Sequence, residues 1–245
     1  SAGSMSTQVL CSSKLTEDIP GKAILQSGIS CEEEILATPT LKEEEKIGEE
    51  FVTLSGKNSL EELREMSAEE IFEVECKLTE ALFESGRGLM LVPNVDGYVL
   101  DKTVKQIWRD GEMKDIPYMC GAVTDDLGAK PEDVKEDKPG ILLEECKRWA
   151  NVREKAGKPS YLYHFARRLP GDDWGAFHSS ELWYTFGTLG RCWRPMTEHD
   201  YELSEEMVTC WTNFMKTGNP NGDGQRLEEN WESYTGEHPY VKLFK

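Results

Sequence analysis

Four short runs of strand-forming residues constrain this chain most: GKAILQSG at 21–28, IPYMCGA at 116–122, SYLYHFAR at 160–167 and YVKLF at 240–244. Between them lie stretches with helical spacing, so strands alternate with helices. A chain of this kind buries its apolar faces by layering helices over a mostly parallel sheet, because parallel strands need crossover connections. The fold class read from the sequence is therefore α/β.

The helical stretches are read as 4–11, the acidic segment 32–85, 102–109, 141–157, 180–186 and 204–216. Thr40 with Glu43 and Glu44, Ser59 with Glu62, and Ser67 with Glu70 have the spacing of capping boxes, which start helices. Gly218 and Pro220 end the last helix. Residues 93–97 (PNVDG) are a turn, and 129–140 and 169–173 are surface loops. No repeat or linker interrupts the chain, so residues 1–245 are read as one domain.

Composition narrows the function classes. There are 28 Lys and Arg against 46 Asp and Glu, a net charge of −18. That argues against nucleic acid and anionic membrane as partners, since phosphate binding needs clustered cations. No apolar run approaches the roughly 20 residues of a spanning helix. The seven cysteines include no CxxC cluster, which fits reduced thiols in a cytoplasmic protein. The four histidines, 164, 178, 199 and 238, contain no i,i+4 pair, and no metal or cofactor is expected.

Hydrolysis by a serine requires a base for its proton and an acid to orient that base. In one chain order the serine comes first, an acid follows a strand, and a histidine comes last on a loop. Asp126 sits just past the strand 116–122, and His178 lies in the loop segment GAFHSSELWY. The opening Ser1-Ala2-Gly3 is what remains of G-x-S-x-G without its first two residues. Taken singly, each has an ordinary reading: a structural histidine, a solvated turn and a cloning scar. Asp172 or Asp173, just before His178, is an alternative acid.

The local sequences resemble the C-terminal half of the type-B carboxylesterase family, which includes bacterial para-nitrobenzyl esterases and the cholinesterases. SAGSMS resembles the nucleophile elbow, and GKAILQSG the strand after the elbow helix. LVPNVDGYVL resembles the P-V-x-D-G turn, and IPYMCGAVTDD the strand and turn bearing the acid. YLYHFARRLPGDDWGAFHSSELWYTFGTL resembles the histidine segment, and MVTCWTNFMKTGNPNG the late helix. The segments occur in family order.

The resemblance implies the C-terminal portion of an α/β-hydrolase fold, N-terminally truncated, acting on a small-molecule carboxylic ester through an acyl-enzyme. By the same resemblance Ser1 is the nucleophile, His178 the general base and Asp126 the acid. The Ala2 N–H is an oxyanion donor, with the other donors upstream. Ser27 matches a serine that bonds the acid, and Glu181 a buried carboxylate beside the site. Two departures stand out. The family's acid is usually Glu in a D-E-G triplet, where this chain has Asp125-Asp126-Leu127. The acid and the histidine are only 178 − 126 = 52 residues apart, which implies a trimmed lid. The chain by itself is expected to be inactive. Rival readings are a catalytically dead scaffold of the same fold, and a hydrolase in which Ser1 uses its own α-amino group as base.

Overall fold

The strand-forming runs assemble into one parallel sheet in the computed structural model. It describes residues 1–29, 31, 38–88, 92–136, 138, 140–155, 157–158, 160–222 and 230–245. The elements in chain order are α1 (Ala2–Ser12), β1 (Ala23–Gln26), α2 (Leu41–Ser55), α3 (Leu60–Arg64), α4 (Ala68–Glu84), α5 (Val104–Arg109), β2 (Tyr118–Val123), α6 (Pro131–Lys135), α7 (Ile141–Glu154), β3 (Ser160–Phe165), α8 (Leu182–Thr185), α9 (Glu198–Thr217) and β4 (Val241–Phe244). They group into two compact units, Ser1–Ile35 with Val104–Lys245, and Leu36–Thr103.

The first unit holds the sheet, in the order β1-β2-β3-β4 with every neighbouring pair parallel. The register sets Ala23 beside Tyr118, Tyr118 beside Ser160 and Leu162 beside Val241. Every residue of β2 and β3 is buried, as a parallel sheet covered on both faces requires. Alternation divides the side chains between two cores. Met119, Val123, Tyr161, Tyr163 and Phe165 join Met207, Cys210, Trp211 and Phe214 of α9. On the opposite face the Tyr118 ring meets Trp149 of α7 edge-on at 5.2 Å. Gly121 is what lets Tyr163 lie across β2, because a Cβ there would stand 2.3 Å from the ring.

The second unit is helical and acidic. Thr40 and Ser67 form complete capping boxes with Glu43 and Glu70, as their spacing predicts. Ser59 also caps its helix, but the Glu62 carboxylate turns to the Asn58 N–H instead. The acidic stretch holds three helices, begun at the three positions that its Ser and Thr spacing marks, and residues 32–37 of it lie outside the described residues.

Several boundaries differ from the sequence reading, two of them by most of a turn or more. Pro131 opens a five-residue helix, α6, inside the expected loop, since proline suits a first helical position. The last long helix starts at Glu198, before Ser204. Asp200 Oδ2 accepts both the Thr197 N–H and the Thr197 hydroxyl, each at 2.7 Å, which fixes the start of this helix with Asp at the position where the motif has Glu or Gln. Among the described residues, no helix is long and apolar enough to cross a membrane. All seven cysteines are free thiols.

Candidate active site

The C-terminal ends of β1 and β2 carry the polar residues singled out above, the usual place for a site in an open parallel sheet. Asp126 follows β2 by three residues and is 6% exposed. Its Oδ1 lies 2.5 Å from His178 Nδ1 and accepts the Leu127 N–H at 2.9 Å. Its Oδ2 accepts the Ser27 hydroxyl at 2.6 Å and the Val123 N–H at 3.1 Å. Burial works to raise this carboxyl. The bonds from His178, Ser27, Val123 and Leu127 outweigh it and hold the pKa below the usual carboxylate range. An ionised carboxylate only accepts, so Nδ1 is the donor in this contact, which leaves Nε2 as the acceptor of the neutral ring.

Two residues other than glycine have positive φ among the described residues: Ser27 at 48° and Ser179 at 73°. One bonds the acid and the other follows His178 directly. Backbone held in this region costs free energy and persists where the surroundings impose it, which is common at functional sites.

Ser1 stands at the N-cap of α1, and its hydroxyl does not cap the helix. Its carbonyl accepts from the N–H groups of Ser4 at 2.9 Å and Met5 at 3.2 Å. Its backbone nitrogen donates to the Gln26 carbonyl. The start of α1 comes this close to the end of β1 because Gly28 has no side chain. A Cβ there would lie 2.4 Å from the Ser1 carbonyl oxygen. Ala2 heads the helix, where a backbone N–H has no intrahelical acceptor. Among the described residues no hydrogen bond joins the Ser1 hydroxyl to His178, so the structure brings Asp126, His178 and Ser27 into one chain of contacts and leaves Ser1 outside it.

Glu181 is 1% exposed. Its Oε1 accepts from Gln26 Nε2 at 3.1 Å, while Oε2 is buried without a partner. Burial pushes its carboxyl up. Gln26 in turn accepts from the Trp211 indole at 3.3 Å, a link to α9 that sequence reasoning missed.

Of the two rival acids, Asp172 serves another end. Asp172 forms a bidentate pair with Arg194, at 2.8 and 2.7 Å. The Arg194 guanidinium also lies over the Phe177 ring at 5.2 Å and donates to the Pro170 carbonyl at 3.0 Å. These contacts brace the loop that carries His178. Nothing local marks Arg194 as their partner, because it lies 22 residues away in the chain.

Ser27→Ala gives a prediction with a definite sign. The folded-state pKa of Asp126 lies below its unfolded value. Its ionisation therefore stabilises the fold above the unfolded pKa, and that stabilisation is lost as pH falls through the folded pKa. Removing the Ser27 donor raises the folded pKa. The acid-unfolding midpoint, followed by circular dichroism of the intact protein, should move to higher pH. Stability at neutral pH should fall by about 1.5–3 kcal/mol, the usual worth of a hydrogen bond to a charged group. An unmoved midpoint would show that this bond contributes nothing.

Comparison with known proteins decides the family. The sequence matches the family model described as "Carboxylesterase family" over residues 1–140 and 140–244. The chain belongs to the carboxylesterase family. Over an alignment 322 positions long it is 24% identical to carboxylesterase 1E of Mus musculus, covering 99% of this chain and 55% of that protein. It is 34% identical to carboxylesterase 5A of Felis catus over 116 residues, 43% of this chain and 20% of that protein. The chain thus spans about half the length of full-length relatives such as carboxylesterase 1E. Among solved structures, a thermophilic PNB esterase superposes with a TM-score of 0.79 at 23% identity, covering all of this chain and 57% of its own. A Geobacillus stearothermophilus carboxylesterase gives 0.71 at 24% identity, again with all of this chain and 58% of its own. This carboxylesterase-family chain therefore has the α/β-hydrolase fold, represented by a parallel sheet with helices on both faces.

Proposed function

We propose that the intact protein hydrolyses carboxylic esters through a Ser1–His178–Asp126 triad and an acyl-enzyme. The observation that carries this reading is the Asp126–His178 contact of 2.5 Å, backed by Ser27 and placed at the sheet edge beside the start of α1. His178 Nε2 takes the proton as the Ser1 oxygen attacks the ester carbonyl. The tetrahedral intermediate collapses, the acyl–oxygen bond of the ester breaks, and the imidazolium protonates the leaving alcohol. Water then attacks the acyl-enzyme with the same base, releasing the acid and restoring Ser1. Asp126 holds the tautomer and stabilises the imidazolium, and the Ala2 N–H donates to the oxyanion. The cycle uses no metal or cofactor. It requires Ser1 Oγ within hydrogen-bond reach of Nε2, a contact that commonly tightens only with substrate bound.

The family match runs across both compact units, which supports reading residues 1–245 as one carboxylesterase domain. The chain spans about half the length of carboxylesterase 1E, and the 245 residues alone are proposed to be inactive. Seven cysteines without a CxxC cluster support a reducing compartment, the cytoplasm.

An activated serine is what separates this reading from a catalytically dead scaffold. An organophosphonate should label the intact protein once, at Ser1, and His178→Ala should abolish the labelling. Absence of label at Ser1, or labelling that survives in His178→Ala, would overturn the triad.

A further inference from the structure

We infer that Asp125 is a positioning residue for His178: it grips the backbone of the histidine loop while its neighbour Asp126 holds the ring. The inference rests on the triad reading above and assigns a role to a second carboxylate that the triad does not use.

Both backbone groups of Ala176 are bonded to Asp125. The Asp125 N–H donates to the Ala176 carbonyl at 2.9 Å, and the Ala176 N–H donates to Asp125 Oδ2 at 2.8 Å. An isolated parallel bridge pairs Asp125 with Phe177. The chain beyond β2 thus extends the ladder by one step onto the segment that leads into His178. Ala176 is fully buried, two residues before the histidine. A charge-assisted bond to a carboxylate is about twice as strong as a neutral one, so this loop is tied where a small displacement would reach the imidazole.

Gly175 reports how closely the two segments fit. It has φ +72°, and a Cβ on it would lie 2.4 Å from Asp125 Oδ2. A side chain there would both strain the backbone and push the carboxylate away from the Ala176 N–H. The Gly175 carbonyl is itself held by the Leu169 N–H at 3.1 Å, on the other side of the loop.

Adjacent residues of an extended segment point to opposite sides. One carboxylate therefore reaches the ring and the other reaches the main chain that presents the ring. Asp126 to His178 and Asp125 to Ala176 are two attachments of one loop, the first setting the ring and the second its distance from the sheet edge.

The test uses the intact protein. Asp125→Ala should lower kcat for an aryl ester about 10- to 100-fold with KM changed less than about twofold, because misplacing a reacting group by about 1 Å can cost 10²-fold. Asp125→Asn keeps an oxygen that accepts the Ala176 N–H, so it should recover most of the loss. A second readout is independent of turnover. The proton on His178 Nδ1, in a short bond to a carboxylate, gives a far-downfield signal in ¹⁵N-histidine-labelled protein. That signal should broaden or move upfield in Asp125→Ala and return in Asp125→Asn. If Asp125→Ala does not fold, Gly175→Ala replaces it, with the same loss of signal expected. A folded Asp125→Ala or Gly175→Ala protein that keeps the wild-type signal overturns the inference. If the wild-type protein turns over no ester, the triad proposal fails, and the signal still reports on Asp125.

Discussion

His178→Ala in the intact protein is expected to lower kcat for short-chain aryl esters by at least about 10²-fold, because general base catalysis is worth roughly 10²–10⁴. Among the described residues that bond Asp126, the His178 ring alone has a second nitrogen that can serve as a base. KM should change little, since the imidazole contributes to the transition state more than to ground-state binding. Steady-state kinetics with a para-nitrophenyl ester decides the matter. A variant that keeps more than about a tenth of wild-type kcat contradicts the role, because the loss would be smaller than the least that base catalysis supplies.

Asp126→Asn should be nearly as damaging, with a loss of orders of magnitude in kcat, for a different reason. The carboxylate now accepts four bonds, from His178, Leu127, Ser27 and Val123. A carboxamide of the same shape fills the space but places an NH₂ where an acceptor is needed. If that NH₂ faces His178, the ring turns to the tautomer with the proton on Nε2, which leaves no base for Ser1. The variant should fold, with some loss of stability because the Ser27 and Val123 donors face an altered partner. Thermal melting separates the two effects. A folded Asp126→Asn enzyme of near wild-type kcat would move the acid elsewhere. Asp125→Asn is the informative neighbour, since its contact is to the Ala176 N–H and a carboxamide oxygen still serves there.

The comparison of these two aspartates shows how much of the site was legible. The triplet at 125–127 and the GAFHSSEL segment mark the acid and the histidine as candidates, and both aspartates are compatible with the strand end at Val123. Sequence reasoning preferred Asp126, and the structure puts Asp126 against His178. The use of Asp125 was not legible. Its acceptor and donor are backbone groups of Ala176, 51 residues away, and a backbone contact leaves no trace in residue type at the far end. The one available signal was Gly175, whose missing Cβ makes room for the carboxylate.

By itself the sequence determined what a single element encodes. Four strand-forming runs dictated four strands, and Ser and Thr with Glu three residues on dictated the starts of α2 and α4, because those interactions close within one turn of backbone. The tertiary structure decided whatever joins distant segments. It paired Asp126 with His178 across 52 residues and tied Glu181 to Gln26 across 155. It committed Asp172 to Arg194 and not to the histidine. Several carboxylates in this acidic chain were chemically equivalent as candidates. Their surroundings follow from which of them the parallel register carries to the sheet edge, desolvates and surrounds with donors, and those quantities exist only once the strands are side by side.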